Sequence, residues 1–204
     1  MKMKQSYMVM VAVAFIGLNG CGGGGGGSSQ GNGAGNTQSV PFSAPELSDA
    51  EKASYLDAIN VARGNVQHCG DYGDYEATTP LSWNDALYRA AYEHSSDLAN
   101  TNTFSHTGSG TEHDWTAEVL SLGRGSTYQE RIENNGYTQW RAIVENITAG
   151  TNTDTAQKAV NAWLQSPGHC ANLMNPHYTE IGMAHVYKGD STLSHYWTQV
   201  FGSR

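Results

Sequence analysis

The chain has 204 residues, with 11 Lys+Arg against 19 Asp+Glu, a formal net charge of −8 and only three cysteines. That balance excludes the broad basic face a nucleic-acid partner needs, and the absence of a CxxC pair excludes the usual redox and zinc-ribbon patterns. The length allows one domain of ordinary size.

At the N-terminus, Lys2 and Lys4 precede an uncharged apolar run, Met8 to Leu18, that is too short to span a bilayer. This is the layout of a secretory signal peptide over residues 1–20. The tetrapeptide Leu18-Asn19-Gly20-Cys21 resembles the lipobox of bacterial lipoproteins, which implies cleavage before Cys21, lipidation of Cys21 and a membrane as partner. The chain is then exported and anchored by lipid to a bacterial membrane. With no aspartate after Cys21, that is the outer membrane if the host is Gram-negative. Residues 21–44, rich in Gly, Ser and Asn, read as a flexible tether with a reach of about 25 Å. Without the leader the chain holds nine basic against 19 acidic residues, a net charge of −10.

The domain spans 45–204. Ser48 followed by Glu51 is a capping-box start for a first helix, Asp49 to Val66. Pro80 and Ser82 set up a second, in which Leu87, Ala91, His94 and Leu98 fall on one face. Gly108 to Gly125 reads as a long loop with a turn of helix near Ala117 to Leu120. A short helix follows from Thr127 to Asn134, then a strand from Trp140 to Thr148. Asp154 caps a helix carrying Val160 and Trp163, and Ser166-Pro167 restarts helix. Tyr178 to Tyr187 and Ser194 to Phe201 alternate as strands around Lys188-Gly189-Asp190, an antiparallel hairpin. In the last strand Tyr196, Thr198 and Val200 share one face, and His195, Trp197, Gln199 and Phe201 the other. Helices around a small antiparallel sheet make the fold α+β. In an oxidising compartment Cys69 and Cys170 pair as a disulfide rather than remain free.

Four of the eight histidines stand where a site could form. His94 lies on an apolar helix stripe, where a packed, hydrogen-bonded ring is expected. His106 follows a helix end in a polar segment, and His169 and His177 flank the connection from helix to strand, a usual setting for sites. HExxH, GxSxG and phosphate-loop motifs are absent.

From Leu56 onward the segments "INVARGNVQHCG", "PLSWNDALYRAAYEHSSDLANTNTFSHTG", "RIENNGY", "VENITAG", "AVNAWLQSPGHCANLMNPHYTEIG" and "YWTQVFG" resemble, in order, the bacterial branch of the CAP superfamily (cysteine-rich secretory proteins, antigen 5 and pathogenesis-related 1 proteins). The resemblance implies an α-β-α sandwich with a shallow cleft holding two histidines and two acidic residues. Matched residue by residue, His106, Glu145 and His177 occupy three of these positions. The fourth, an acid in animal members, falls on Ser166, with His169 nearby as a substitute. Imidazoles with one carboxylate suit a divalent cation such as Zn2+ and leave a position open for water. Three functions fit this set: a non-catalytic module that binds a lipid, glycan or protein; a metal-assisted hydrolase or peptidase; or a polar cluster that only ties helices to sheet. The stretch between His106 and Arg131 is longer than in typical bacterial members, and reads either as a surface insertion or as a lid with Trp115 and Leu120 as its apolar contacts.

Overall fold

The computed structural model describes residues 41–204. The leader, Cys21 and most of the tether lie outside the described residues. The folded body begins before Pro45. Phe42, assigned above to the tether, donates its backbone N–H to Asn135 and packs its ring 6.2 Å from Tyr92 and 6.0 Å from Trp115.

The first helix, α1 (Asp49–Arg63), starts at the capping box of Ser48 and Glu51 and ends at Gly64, before Val66. Two short strands, β1 (Gln67–His68) and β2 (Asp74–Tyr75), flank a single 3-10 turn and form their own antiparallel ribbon. Ser82 belongs to a strand, β3 (Ser82–Trp83), rather than to a helix start, because its N–H is taken by the Thr179 carbonyl. Asn84 caps the second helix instead, α2 (Asp85–Thr101), by accepting from the N–H groups of Ala86 and Leu87. Next come α3 (Trp115–Val119) and α4 (Tyr128–Asn134), the latter with a Thr127–Glu130 capping box. Strand β4 (Ala142–Ala149) leads to α5 (Ala156–Leu164), capped by Thr155 while Asp154 pairs with Lys158 at 2.7 Å. Helix α6 (Pro167–Met174) and the hairpin of β5 (Glu180–Tyr187) and β6 (His195–Ser203) complete the chain.

The main sheet has the order β3-β5-β6-β4, with β3 parallel to β5 and the other pairings antiparallel. Both of its faces are covered, so β6 is buried along nearly its whole length. On one face Trp197 and Phe201 pack with Ile59 of α1, Val160 and Trp163 of α5 and Leu173 of α6. On the other Val200 packs with Leu87 and Ala91 of α2, and Tyr196 with Leu98. This is the expected α+β fold, an α-β-α sandwich. Helix α2 lies so close on β5 that a Cβ at Gly182 would come 2.0 Å from the Tyr88 nitrogen, a space only glycine leaves. Cys69, just after β1, is joined to Cys170 of α6, with Cα atoms 5.4 Å apart. Arg63 is fully buried and donates to the carbonyls of Thr79, Leu173 and Asn175, which ties the end of α1 to the end of α6. Burial pushes its guanidinium down to about 10. Among the described residues no helix is long and apolar enough to cross a membrane.

Candidate functional site

Strand β4 is the outer strand of the sheet, and its residues alternate between the two helical layers. Glu145 points to the layer of α2 and α4, and its carboxylate is almost wholly buried. One oxygen accepts from Nδ1 of His106 at 2.9 Å, and the other from Nη2 of Arg131 on α4 at 2.9 Å. A carboxylate only accepts, so His106 donates from Nδ1, and in the neutral ring the lone pair is then on Nε2. The His106 side chain is 50% exposed. The arrangement is a buried acid that orients a half-exposed imidazole.

Behind this pair stands His94 of α2, fully buried, as its place on the apolar stripe led one to expect. Its Nε2–H donates to the Ser105 carbonyl at 2.9 Å and lies 3.7 Å from Glu145, while its Nδ1 is buried with no partner among the described residues. Burial, and then the charge of Arg131, push His94 down to about 4, so at neutral pH it is an uncharged ring. Burial alone would raise the Glu145 carboxyl. The groups of His94, Arg131 and His106 outweigh it and hold the carboxyl at about 2. With His94 neutral, Arg131 supplies the full positive charge that faces Glu145.

His169 reaches the site from the other layer, at the first turn of α6. An amide network fixes that turn: Asn172 donates to Asn146 at 2.9 Å, and Asn146 donates to the His169 carbonyl at 3.1 Å. Asn146 follows Glu145 on β4 and faces the opposite side. The two histidines therefore approach from opposite layers and meet at the free edge of β4, with ring centroids 6.3 Å apart. Burial and the neighbouring His106 lower the pKa of His169.

His177 is not part of this group, which corrects the residue-by-residue matching. It is exposed in the loop before β5 and lines a separate cavity with Arg141, Ala142, Thr179, Ser203 and Arg204. In register, Glu145 faces Val200 whereas Ala142 faces Ser203. Three residues of strand, about 10 Å, separate the two places.

Nothing in the sequence around Arg131 distinguishes it from an ordinary charged position on an amphipathic helix, and only the fold brings it to the site. Besides Glu145 it donates to the His106 carbonyl and to Ser126, both at 2.9 Å. It thus holds the loop that carries His106. Ser126 closes the long stretch before Arg131, and that stretch is pinned from within. Asp114, buried, accepts from the N–H groups of Gly110, Ala117 and Ser126 and from the Ser126 hydroxyl. Asp97 likewise holds the N–H and hydroxyl of Ser109. A Cβ on Gly108 would fall 2.1 Å from the Asp114 carboxylate. Trp115 packs on Phe42 while Leu120 is 44% exposed, so the segment is anchored at its base and reaches solvent beyond it.

The family model described as "Cysteine-rich secretory protein family" matches residues 56–201. The Bacillus subtilis protein YkwD is 30% identical over 159 residues, 78% of this chain and 49% of its own length. The B. subtilis membrane protein YlbC is 28% identical over the same share of this chain and 36% of its own. The chain thus spans half or less of these two relatives. Among solved structures, an outer surface protein of Borrelia burgdorferi superposes with a TM-score of 0.53 at 22% identity, covering 78% of this chain and 96% of that one. An extracellular SCP-domain protein of Bacillus anthracis gives 0.52 at 23% identity, over 79% of this chain and 45% of that one. These two share the sandwich just described, and the matched segment runs from α1 to β6: the chain belongs to the cysteine-rich secretory protein family, the CAP superfamily.

Proposed function

We propose that the chain is an extracytoplasmic lipoprotein, anchored through Cys21 to a bacterial membrane, whose CAP domain is a binding module with a cation-holding cleft at His106 and His169. The carrying observation is the orientation of His106: Glu145 holds its Nδ1–H, so a lone pair on Nε2 is left beside a second imidazole. Two imidazoles sharing one tetrahedral zinc ion place their ring centroids about 5.2 Å apart, given Zn–N bonds of about 2.0–2.1 Å. The rings stand 6.3 Å apart, so a shared ion draws them together by about 1 Å, which the half-exposed His106 side chain allows. Glu145 has both oxygens committed to His106 and Arg131, so its role is to orient a ligand rather than to be one. Among the described residues no group of three or more His, Cys, Asp or Glu is arranged for a metal ion. Two protein ligands leave the remaining positions to water or to the bound partner, which supports a module that recognises a lipid, glycan or protein through the cation. When bound, zinc would supply a Lewis acid at that opening.

Calorimetric titration of zinc into the exported Cys21→Ser chain tests this reading. His106→Ala and His169→Ala each abolish binding, and His177→Ala leaves it intact. Unchanged affinity in both of the first two variants would sink the proposal. Metabolic labelling with palmitate, lost on Cys21→Ser, tests the anchor.

One observation favours a second reading, hydrolysis. An imidazole oriented by a buried carboxylate, with its free nitrogen towards solvent, is equipped as a general base. The neighbouring Ser105 hydroxyl accepts from the Thr107 N–H and makes no hydrogen bond to the His106 ring among the described residues, so this reading takes water as the nucleophile. Turnover of a peptide and ester library that disappears in His106→Ala separates hydrolase from binding module.

A further inference from the structure

The cavity that received His177 has a chemistry of its own. It encloses about 370 Å³ at the end of the sheet where β4 and β5 begin and β6 ends. Its polar lining residues come from three separate segments and all have side chains able to donate: Arg141; His177 and Thr179; Ser203 and Arg204. No carboxylate side chain of the described residues lines it. Glu180, next in sequence to Thr179, is taken up by Asn84, Tyr137 and Arg204 at 2.7–2.8 Å.

Arg141 stands apart from the other described cations. The three described lysines, and Arg124, Arg131 and Arg204, each pair with a carboxylate, while Arg63 and Arg89 donate to backbone carbonyls. Among the described residues the Arg141 guanidinium has neither kind of partner, and the side chains of His177, Thr179 and Ser203 likewise make no hydrogen bond to protein. Arg204 is fixed differently, by Glu180 and by the face of Tyr137 at 4.7 Å, so it walls the cavity while its charge is balanced. Arg141 is therefore the arginine of the cavity without a carboxylate or carbonyl partner among the described residues, in a chain that is acidic overall.

We propose that this cavity is an oxyanion site that takes a phosphate group. Donor side chains supplied by three separate segments can serve several oxygens at once, as a tetrahedral group with several free oxygens requires. The Arg141 fork supplies the charge-assisted contacts, and the two hydroxyls and the imidazole fix orientation. The site is about 10 Å along β4 from the His106 cleft and does not depend on a cation there.

The phosphate could belong to a soluble molecule or to a lipid headgroup, and the test separates the two. Inorganic phosphate is titrated calorimetrically into the exported Cys21→Ser chain, which has no lipid anchor. The same chain is sedimented with vesicles of phosphatidic acid in phosphatidylcholine, and with phosphatidylcholine alone. Arg141→Ala weakens binding about ten- to a hundredfold, and Ser203→Ala or Thr179→Val about two- to tenfold. Arg124→Ala, which removes a surface arginine elsewhere, changes nothing. Arg141 is exposed, so its loss leaves the fold intact, and an unshifted thermal midpoint verifies that. Saturable phosphate binding without vesicle binding assigns a soluble ligand. Vesicle binding that requires phosphatidic acid and is lost in Arg141→Ala assigns a headgroup. Absence of binding in both arms, or binding that Arg141→Ala leaves unchanged, overturns the proposal.

Discussion

Arg131 and Glu145 face each other at 2.9 Å with side chains only 2% and 1% exposed, and everything that orients His106 passes through this pair. Taking one partner away leaves a charge buried without compensation. Arg131→Met is therefore expected to cost about 3–5 kcal/mol, whereas Arg131→Met with Glu145→Leu loses less than the sum of the single changes. Urea unfolding of the four forms gives the coupling directly. Additive losses would mean that the pair is not the unit that holds the site.

The sandwich was legible because its signals are local: the Ser48–Glu51 box, the apolar stripe of α2 and the alternation of β6 each state their own structure. Boundaries failed where a distant partner decided them. Ser82 looks like a helix cap until the Thr179 carbonyl, 97 residues on, takes its N–H into a strand. At the site, His106 and Glu145 could be named from sequence but not their division of labour, which depends on Arg131 closing the second carboxylate oxygen. His177 was misplaced for a related reason. Short sequence matching ranks residue types in order along the chain, and the distance of about 10 Å between Ala142 and Glu145 on one strand is invisible to it.

Acid should loosen the fold in a defined window. His94, held at about 4 in the fold against an ordinary value near 6.5, binds fewer protons folded than unfolded between those limits. The unfolded state gains protons there, so stability is full above pH 6.5 and falls as pH drops towards 4. The slope from this one ring is on the order of 1.4 kcal/mol per pH unit. His185, also held at about 4 by burial and by His195, acts in the same direction. Glu145 works in a lower window, since its depressed carboxyl stabilises above the ordinary value of 4.5 and that contribution is lost as pH falls towards 2. Urea midpoints measured from about pH 7 to 4.5 should show the loss, flattened in His94→Gln. A parallel slope in that variant would rule His94 out as its source.

The Cys69–Cys170 bond closes a loop of 101 residues and ties the ribbon of β1 and β2 to α6, whose first turn carries His169. Constraint of so long a loop in the unfolded chain is worth up to about 4.7 kcal/mol. The double variant Cys69→Ala/Cys170→Ala is expected to lose several kcal/mol in urea unfolding and to weaken any cation held by His169. The same variant with unaltered stability under oxidising conditions would show that α6 is held by packing and by Arg63 alone.

Asp114 offers the sharpest test of whether the long insertion is a lid or a fixed surface element. Its buried carboxylate collects four donors from Gly110, Ala117 and Ser126, and these hydrogen bonds outweigh burial to keep its pKa below the usual carboxylate range. Asp114→Ala leaves those donors without an acceptor in a space too small for the chain to rearrange freely, since Gly108 already touches the carboxylate. The expected cost is about 2–4 kcal/mol. The effect should also be local: hydrogen exchange rises from residue 108 to 126 while α2 and the sheet keep their protection. Ser126 donates to Asp114 and accepts from Arg131, so some of the loss should reach Glu145 and reduce zinc affinity at His106. If residues 108–126 already exchange rapidly in the unaltered protein, the segment is mobile and a lid becomes the better description.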